Sequence, residues 1–425
     1  MFSKILPWRL SCCNRTYLVK KMRLFFLCIS LFSSLCSVEL GIDYFFSDPV
    51  AKSIQGKQIG LIVNQTSLNQ KLESTVSLFL KNHFKVKALF SPEHGIYGLS
   101  KAGEKVASLE TESIPIYSLY GESRRPSEKM LKEVDVLVYD IQDIGVRSYT
   151  FASTLFYAME EAAKYKKKLI VLDRPNPLGG AMIDGMMLDT ALRSFVGYIN
   201  VPYCHGMTIG ELADYFNHEY QIGAELVVIP MKGWKRSMTF LDTKLPWIPT
   251  SPNIPEPDTP YYYATTGLIG ELSITNIGIG YTLPFKVVGA PWINAESFAS
   301  HLNSQKLPGV KFVPTHYKPF FGQFKDQICH GVLIKILDTK LFKPTTTQML
   351  ILGILKSLYP KQIQEALKKV SKNSKELFCK CSGTPEILNI LEQEKYACWK
   401  LIGFQAQERE AFIQKRKKYL ISSYE

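Results

Sequence analysis

The chain has 425 residues, of which 46% are apolar and 21% are charged, so it is long enough for two folded domains with ordinary cores. Its net charge of +13 falls to +7 when the first 36 residues are set aside, because six cations and no acid lie there. We find no basic stripe interleaved with stacking aromatics, and this argues against a nucleic-acid partner.

The first 36 residues are predicted to be a signal peptide. An apolar run at 24–35 follows a cluster of cations, is too short to span a bilayer comfortably, and suits the apolar region of an export signal. Translation from Met22 would give a more typical signal. Lipid attachment at Cys36 is a weaker alternative because bulky Leu35 precedes it, and a buried N-terminal helix is another. We expect an exported, periplasmic protein with no membrane span once the signal is removed.

Apolar runs alternate with helical periodicity over the next part of the chain. Strands are predicted at 58–63, 86–90, 134–139, 169–172 and 225–230, and helices at 72–82, 149–165 and 208–220. Residues 91–126 form a long loop. This order predicts an α/β fold with a Rossmann-like parallel sheet in a domain of residues 38–243.

The second half of the chain predicts another, smaller domain. Residues 244–260 contain six prolines and are typical of a stiff crossing between domains. Apolar strand-like runs and four helical patterns follow, and they predict a C-terminal α/β domain of residues 261–425. We expect the active-site cleft to lie between the two domains.

Polar clusters directly follow three of the predicted strands. In an open α/β sheet, the carboxyl ends of the parallel strands line one crevice, so these clusters are expected to converge. The candidate catalytic carboxyl groups are Glu93, Asp140, Asp143 and, in the second domain, Glu271. The candidate substrate-binding residues are Asn64, His94, Gln142, Arg147, Tyr149, Arg174, Asn176, His205 and Tyr281.

Each of these assignments has a structural alternative. Glu93 would suit a general acid, but a surface carboxylate bonded to a backbone amide would look the same in sequence. Arg147 follows Asp143 by four residues and is a natural partner for it, as part of a bracing Asp–Arg network. Arg147 and Arg174 are also candidates for binding a substrate carboxylate, because a guanidinium pairs with a carboxylate through two hydrogen bonds.

The sequence offers no evidence for a bound cofactor. The first strand is followed by Asn64, Gln65 and Thr66 without the glycine fingerprint of dinucleotide binding, and no Walker motif occurs. We therefore expect no cofactor and no metal. A divalent metal held by His94, His205, Asp140 and Asp143 is the alternative, although their spacing specifies none.

Beyond these patterns, the chain resembles the NamZ-type exo-β-N-acetylmuramidases, a glycoside hydrolase family, from about residue 40 to residue 425. The motifs that carry the resemblance are Gly60-Leu-Ile-Val-Asn64-Gln-Thr66, Phe90-Ser-Pro-Glu-His-Gly95, Ala102-Gly-Glu-Lys105, Tyr117-Ser-Leu-Tyr-Gly121, Asp140-Ile-Gln-Asp-Ile-Gly-Val-Arg147-Ser-Tyr149, Leu172-Asp-Arg-Pro-Asn-Pro177, His205-Gly-Met-Thr208, Met231-Lys-Gly-Trp234 and Ser251-Pro-Asn-Ile-Pro255.

The resemblance implies a Rossmann-like domain, a second domain, and a cleft between them. It also implies release of N-acetylmuramic acid from the non-reducing end of peptidoglycan fragments, with Glu93 as the leading catalytic candidate. The chain departs from many relatives at Asn276-Ile277-Gly278-Ile279-Gly280, where they have an acidic residue followed by Gly-Arg-Gly. A glutamate and an arginine are absent there, so specificity is expected to differ if those charges bind substrate.

Three functions follow as hypotheses. The first is an exported glycosidase whose partners are muramic-acid-containing saccharides or muropeptides, acting in cell-wall turnover or recycling. The second is a metal-dependent periplasmic hydrolase, such as a phosphoesterase or deacetylase. The third is a non-catalytic sugar-binding protein of similar two-domain build.

Overall fold

The computed structural model describes residues 38–108, 114–404 and 406–425. The predicted signal peptide at 1–36, including Met22 and Cys36, lies outside the described residues. Within the described ranges, no helix is both long and apolar enough to cross a bilayer.

A six-stranded, fully parallel sheet forms the centre of the first domain, in the spatial order β3-β2-β1-β4-β5-β6. This is the Rossmann order, in which the strand sequence reverses direction between β1 and β4. The predicted parallel sheet is confirmed. The strands are Gln58–Val63 (β1), Lys85–Ser91 (β2), Ile116–Ser118 (β3), Val136–Asp140 (β4), Lys168–Leu172 (β5) and Leu226–Ile229 (β6).

Helices cover both faces of this sheet. Alternate residues of β1 and β4 enter different apolar clusters, because successive side chains of a strand point to opposite faces. Phe79 packs in one cluster, and Phe151 and Phe216 pack in the other. The helices of this domain are Gly41–Tyr44 (α1), Pro49–Ser53 (α2), Thr75–Lys81 (α3), Glu128–Leu131 (α4), Thr150–Lys164 (α5) and Ile209–Glu219 (α6).

The second domain has a sheet of three antiparallel strands in the order β7-β9-β8. These are Val287–Ala290 (β7), Val310–Tyr317 (β8) and Cys329–Ile336 (β9). The accompanying helices are Thr259–Glu271 (α7), Ala295–Ser304 (α8), Pro344–Leu358 (α9), Pro360–Lys369 (α10), Lys372–Ser382 (α11), Glu386–Gln393 (α12), Cys398–Gly403 (α13) and Ala406–Arg416 (α14).

The end of the chain packs against the first domain. Tyr424 is fully buried beside Trp234, with ring centroids 4.9 Å apart. Its hydroxyl donates to Asp173 at the end of β5 (2.7 Å) and accepts the amide of Met231 (2.7 Å). Residues 406–425, which we assigned to the C-terminal domain by chain order, therefore also tie that domain to the first one.

Candidate functional site

Glu93 lies just beyond the carboxyl end of β2, in a tight turn. His94 and Gly95 both adopt left-handed backbone conformations, with φ of 71° and 79°. A left-handed histidine is uncommon, and such strain is typical of positions that a functional site holds in place. The turn leaves Glu93 only 7% exposed, so its charge depends on protein donors.

Two donors hold the Glu93 carboxylate. Its Oε1 accepts the backbone amide of Gly103 at 2.7 Å, and its Oε2 accepts the hydroxyl of Thr150. Thr150 is the first residue of α5, so the carboxylate lies beside the positive end of that helix. The surface-loop alternative for Glu93 does not fit this buried, doubly bonded position.

Two tyrosines lie next to this carboxylate. Burial and then the charge of Glu93 raise the pKa of Tyr120 to about 12, so its hydroxyl remains a neutral donor. Burial also raises the pKa of Tyr149, with smaller contributions from Asp143 and Glu93. Tyr149 therefore lies close to both carboxyl groups, and its hydroxyl donates to Thr250 Oγ1 at 2.9 Å.

Asp143 is a second carboxyl group at the start of α5. Its Oδ1 accepts the amide of Gly145 at 2.7 Å, whereas its buried Oδ2 has no partner of good geometry among the described residues. Burial raises the pKa of Asp143 to about 7, against the opposing effect of nearby backbone amides. At neutral pH this group is poised between its acid and its carboxylate.

Asp140 belongs to a buried ion pair that stabilises the fold. Arg174 clamps it with two hydrogen bonds, Nε to Oδ1 at 2.5 Å and Nη2 to Oδ2 at 2.9 Å, and Thr75 donates a third. Arg174 Nη2 also donates to the carbonyl of Leu68 at 2.8 Å. Since both side chains are buried and paired, the carboxylate that Arg174 binds belongs to the protein.

The predicted pairing of Arg147 with Asp143 is wrong. Arg147 is buried, and its guanidinium donates to four backbone carbonyls, those of Met186, Val201, Cys381 and Ser382, at 2.5 to 3.2 Å. Residues 143–147 form a loop, so a spacing of four does not bring two side chains together as it does on a helix. Burial lowers the pKa of Arg147 to about 10. It joins the loop of the first domain to the end of α11.

Asn64 and Gln142 belong to a network across the ends of β1 and β4. Asn64 Oδ1 accepts the amide (2.9 Å) and the hydroxyl (2.6 Å) of Thr66, and that hydroxyl oxygen accepts the Gln142 amide (3.0 Å). The Gln142 side chain donates to the carbonyls of Asp143 and Pro175. The Nδ2 of Asn64 is buried without a partner among the described residues. A buried, unpartnered amide is available to a ligand.

Two further candidates, His94 and Asn176, have local roles. His94 Nδ1 contacts the carbonyl of Ser100 at 2.7 Å. Asn176 spans from the Leu178 amide to the Met207 carbonyl, each at 3.0 Å. A Cβ at Gly145 would lie 2.1 Å from Asn176 Oδ1, so only glycine fits in that loop.

His205 is a buried, uncharged histidine. Its Nδ1 accepts the amide of Met207 at 3.2 Å, and it lines a small cavity with Asp143 and Asn176. Burial, reinforced by the charges of Arg416 and Arg147, lowers the pKa of His205 to about 3. It therefore carries no proton on its acceptor nitrogen at neutral pH.

Glu271 and Tyr281 belong to the second domain, and only Glu271 is connected to the region around Glu93. Glu271 is the last residue of α7, and burial raises its pKa. On the same helix, Tyr263 packs edge to face against Tyr149 (6.0 Å between centroids) and interacts electrostatically with Glu271. Tyr281 instead packs on Tyr317, 5.1 Å away, within the second domain. The structure connects Glu271 to the Glu93 region through Tyr263 and Tyr149.

The candidate metal ligands do not form one set. Asp140 is bound by Arg174, and His205 accepts a backbone amide. Within the described ranges, no group of three or more His, Cys, Asp or Glu side chains is arranged to hold a metal ion.

The sequence did not single out three groups that contact Glu93. They are the hydroxyl of Thr150, the amide of Gly103 and the hydroxyl of Tyr120. Thr150 could have been found from the sequence, because the predicted helix at 149–165 places a threonine hydroxyl at a helix start next to the candidate carboxyl groups. A pocket beside the strand ends is lined by Thr66, Gln142, Arg174 and Trp247 but not by Glu93. We place the chemistry at Glu93 and Asp143, neither of which forms an ion pair with a described residue.

A Rossmann-type domain with buried carboxyl groups at its strand ends, closed by a second domain, is the framework of a two-domain α/β glycosidase. The family model for the N-terminal domain of exo-β-N-acetylmuramidase NamZ matches residues 59–258, and the C-terminal model matches residues 261–421. The chain belongs to this family, as its motifs indicated.

Individual relatives agree with this assignment. The chain is 41% identical over 387 residues to peptidoglycan β-N-acetylmuramidase NamZ of Bacillus subtilis, covering 90% of this chain and 91% of that protein. Two solved structures of DUF1343 family proteins from Bacteroides fragilis are also similar. One has a TM-score of 0.84 at 38% identity (91% of this chain, 99% of the other), and the second has 0.69 at 27% (90% and 98%).

Proposed function

We propose that this protein is an exo-acting β-N-acetylmuramidase that removes N-acetylmuramic acid from the non-reducing end of peptidoglycan fragments, with Glu93 as its principal catalytic carboxyl group. The observation that carries the proposal is the position of Glu93 in a chain of this family. It is a buried carboxylate beyond the carboxyl end of β2, held by Thr150 and Gly103, and Tyr149 interacts with both Glu93 and Asp143. Buried carboxyl pairs are the catalytic equipment of most glycosidases.

In this mechanism, Glu93 binds a proton and transfers it to the glycosidic oxygen as the bond from that oxygen to the anomeric carbon breaks. The acetamido oxygen of the muramic acid then attacks the anomeric carbon and forms an oxazolinium ion. Water then attacks the anomeric carbon as the bond from that carbon to the acetamido oxygen breaks, which restores the acetamido group, and the water gives a proton back to Glu93. The atoms of one water molecule are thus divided between the two sugar products.

Asp143 is the better of the two aspartates for orienting the acetamido group. Asp140 is neutralised by Arg174, whereas Oδ2 of Asp143 has no partner of good geometry within the part of the chain that the structure describes. As a carboxylate, Asp143 accepts the acetamido N–H and stabilises the positive charge that develops on the ring. Asn64 Nδ2, which is buried without a partner among the described residues, is a further amide donor at the strand ends.

Glu271 supports a second mechanism. If the acetamido group does not take part, a retaining or inverting enzyme needs a second carboxyl group across the sugar ring. No hydrogen bond or ion pair of Glu271 with the described residues is seen, and its charge influences Tyr263 on the same helix. The effect of replacing Glu271 distinguishes this mechanism from the substrate-assisted one.

Export to the periplasm follows from the cationic, apolar leader and suits a substrate made in the cell wall. Release of terminal sugars from wall fragments would serve turnover or recycling. Fractionation of cells that produce the full-length chain tests this location.

The test of activity is incubation of the chain lacking residues 1–36 with a muramic-acid-terminated disaccharide and with a chromogenic β-N-acetylmuramide. We expect release of N-acetylmuramic acid from both. Glu93→Gln should lower kcat by about 100- to 10,000-fold, the usual contribution of an acid–base group.

The matched control is Glu104→Gln. Glu104 lies on the same exposed loop and accepts the amide of Lys101, so its loss should leave kcat unchanged. No release from either substrate by the wild-type chain would refute the proposed function. Equal activity of Glu93→Gln and wild type would refute the assignment of Glu93.

A further inference from the structure

The proposed substrate differs from N-acetylglucosamine by one acidic group, the carboxylate of its lactyl ether. An enzyme selective for it needs a cation near the reacting sugar. The two arginines at the strand ends are already committed. Arg174 is bound to Asp140 by two hydrogen bonds, and Arg147 donates to four carbonyls. Neither of these arginines is therefore free to bind the lactyl carboxylate.

Arg124 is held in place by aromatic rings. Its guanidinium carbon lies 4.4 Å from the ring centre of Phe195 and 5.0 Å from that of Tyr120. Stacking of this kind occupies the flat face of a guanidinium and leaves its edge N–H groups free to bind a carboxylate. Arg124 is exposed, and it forms no ion pair with a residue that the structure describes.

The same tyrosine connects Arg124 to the proposed catalytic carboxylate. The hydroxyl of Tyr120 interacts with Glu93 and with Arg124, which oppose each other in their effect on its pKa. Tyr120 is therefore a neighbour of both the guanidinium and Glu93. A sugar whose anomeric oxygen reaches Glu93 would bring its substituents into the range of Arg124.

We propose that Arg124 binds the lactyl carboxylate of the terminal N-acetylmuramic acid and thereby makes the site selective for this acidic sugar. The proposal rests on the proposed function and adds a specificity residue to it. The ligand group is the carboxylate of the lactyl ether, which is attached through oxygen to the ring carbon next to the one that bears the acetamido group. Tyr120 and Phe195 act as positioning residues that fix the guanidinium before the substrate arrives.

The neighbouring Arg125 provides a natural comparison. Its guanidinium also stacks on a ring, 3.9 Å from the centre of Tyr157, but it is already paired with Glu160 at 2.6 Å and with Glu161 at 3.3 Å. Both arginines thus stack on aromatic rings, but only Arg125 is neutralised by carboxylates of the described residues.

The experiment compares two chromogenic substrates on the chain lacking residues 1–36. One is the β-N-acetylmuramide with a free lactyl acid, and the other is its lactyl methyl ester. We expect wild type to prefer the free acid. Arg124→Gln should lower kcat/KM for the acid by about 10- to 100-fold, the usual effect of losing a charged hydrogen-bond partner, and should leave the ester almost unchanged. Arg124→Lys should restore part of the preference.

Arg125→Gln is the control, and it should keep the wild-type ratio between the two substrates even if its melting temperature falls. The inference is overturned if wild type does not prefer the acid, if Arg124→Gln keeps the wild-type ratio, or if it slows both substrates equally. These results differ from failure of the proposed function, in which wild type would hydrolyse neither substrate.

Discussion

Thr150 donates its hydroxyl hydrogen to Glu93, although 57 positions separate the two residues in the chain. Thr150 begins α5, which packs on the sheet through a fully buried row including Phe151, Leu155 and Met159. A rigid helix thus aims one donor at the carboxylate, while the loop amide of Gly103 supplies the other. The site depends on the packing of α5 as much as on Glu93 itself.

Replacing Thr150 with valine tests this support. The change keeps the shape of the side chain and removes the donor, so Glu93 loses one of its two hydrogen bonds. We expect kcat to fall by about 10-fold, in line with one hydrogen bond to a charged group, with little change in KM. The dependence of kcat on pH should shift as well. Thr150→Ser keeps the hydroxyl and should restore both the wild-type kcat and its pH dependence.

The matched control for Thr150 is Thr154→Val, one turn further along α5. Its hydroxyl donates to the carbonyl of Thr150 and does not contact Glu93. If Thr154→Val reduces kcat as strongly as Thr150→Val, the loss reflects the helix and not the donor.

The pKa of Asp143 predicts a pH dependence of activity. Because burial raises that pKa to about 7, the group is mostly protonated below pH 7 and mostly a carboxylate above it. If the carboxylate orients the acetamido group, kcat/KM should rise as the pH passes through about 7. Steady-state kinetics between pH 5 and pH 9 would show this limb, to within about one pH unit.

Asp143→Asn should remove the limb and lower kcat/KM at every pH. Persistence of the same limb in this variant would assign the titration to another group and contradict the role given to Asp143.

The buried pair of Asp140 and Arg174 predicts a large stability effect. Asp140→Asn removes one charge and leaves the guanidinium buried without its partner, so the free energy of unfolding should fall by about 3 to 5 kcal/mol. Urea denaturation measures this loss. The exposed pair of Lys81 and Glu73 is the comparison, since Lys81→Gln should change stability by less than about 1 kcal/mol. Similar losses in the two variants would show that the buried pair is not a structural clamp.

His205 predicts a loss of stability in acid. Its folded-state pKa, about 3, lies below the ordinary value of 6.5, so the unfolded chain binds a proton more readily than the native one. The stabilisation is complete above about pH 6.5 and is lost as the pH falls towards 3. His205→Gln should therefore flatten the dependence of the unfolding free energy on pH in this window.

The exposed His218 is the control for His205, and His218→Gln should leave the curve parallel to that of wild type. Asp143 and Asp173, whose pKa values are raised to about 7, act in the opposite direction over part of this range. Only the difference between variant and wild type isolates His205. Parallel curves for His205→Gln and wild type would contradict the prediction.

The parallel sheet was predictable because buried parallel strands are continuous apolar runs that end in polar turns. The first strand, Gln58–Val63, was predicted with the bounds that it has. Strand β3, at Ile116–Ser118, was missed because three residues inside a long loop carry no periodic signal. The antiparallel order of the second sheet could not be predicted either, since strand pairing depends on contacts between distant segments.

The sequence predicts that the strand-end residues converge, and in the structure Tyr149 interacts with both Asp143 and Glu93. The partner of each arginine could not be read from spacing. Arg147 finds carbonyls from segments up to 235 positions away, and Arg174 finds Asp140 because β4 and β5 are neighbours. A long side chain pairs with the hydrogen-bond acceptors that lie near it in the folded protein. Which acceptors those are depends on the whole structure.

A crystal structure of the Glu93→Gln variant with a bound N-acetylmuramic acid β-1,4-N-acetylglucosamine disaccharide is the most direct measurement of the central claim. We expect the substituted side chain at position 93 to lie within about 3 Å of the glycosidic oxygen, with Asp143 beside the acetamido group. A disaccharide bound elsewhere, with position 93 out of hydrogen-bond reach of that oxygen, would contradict it.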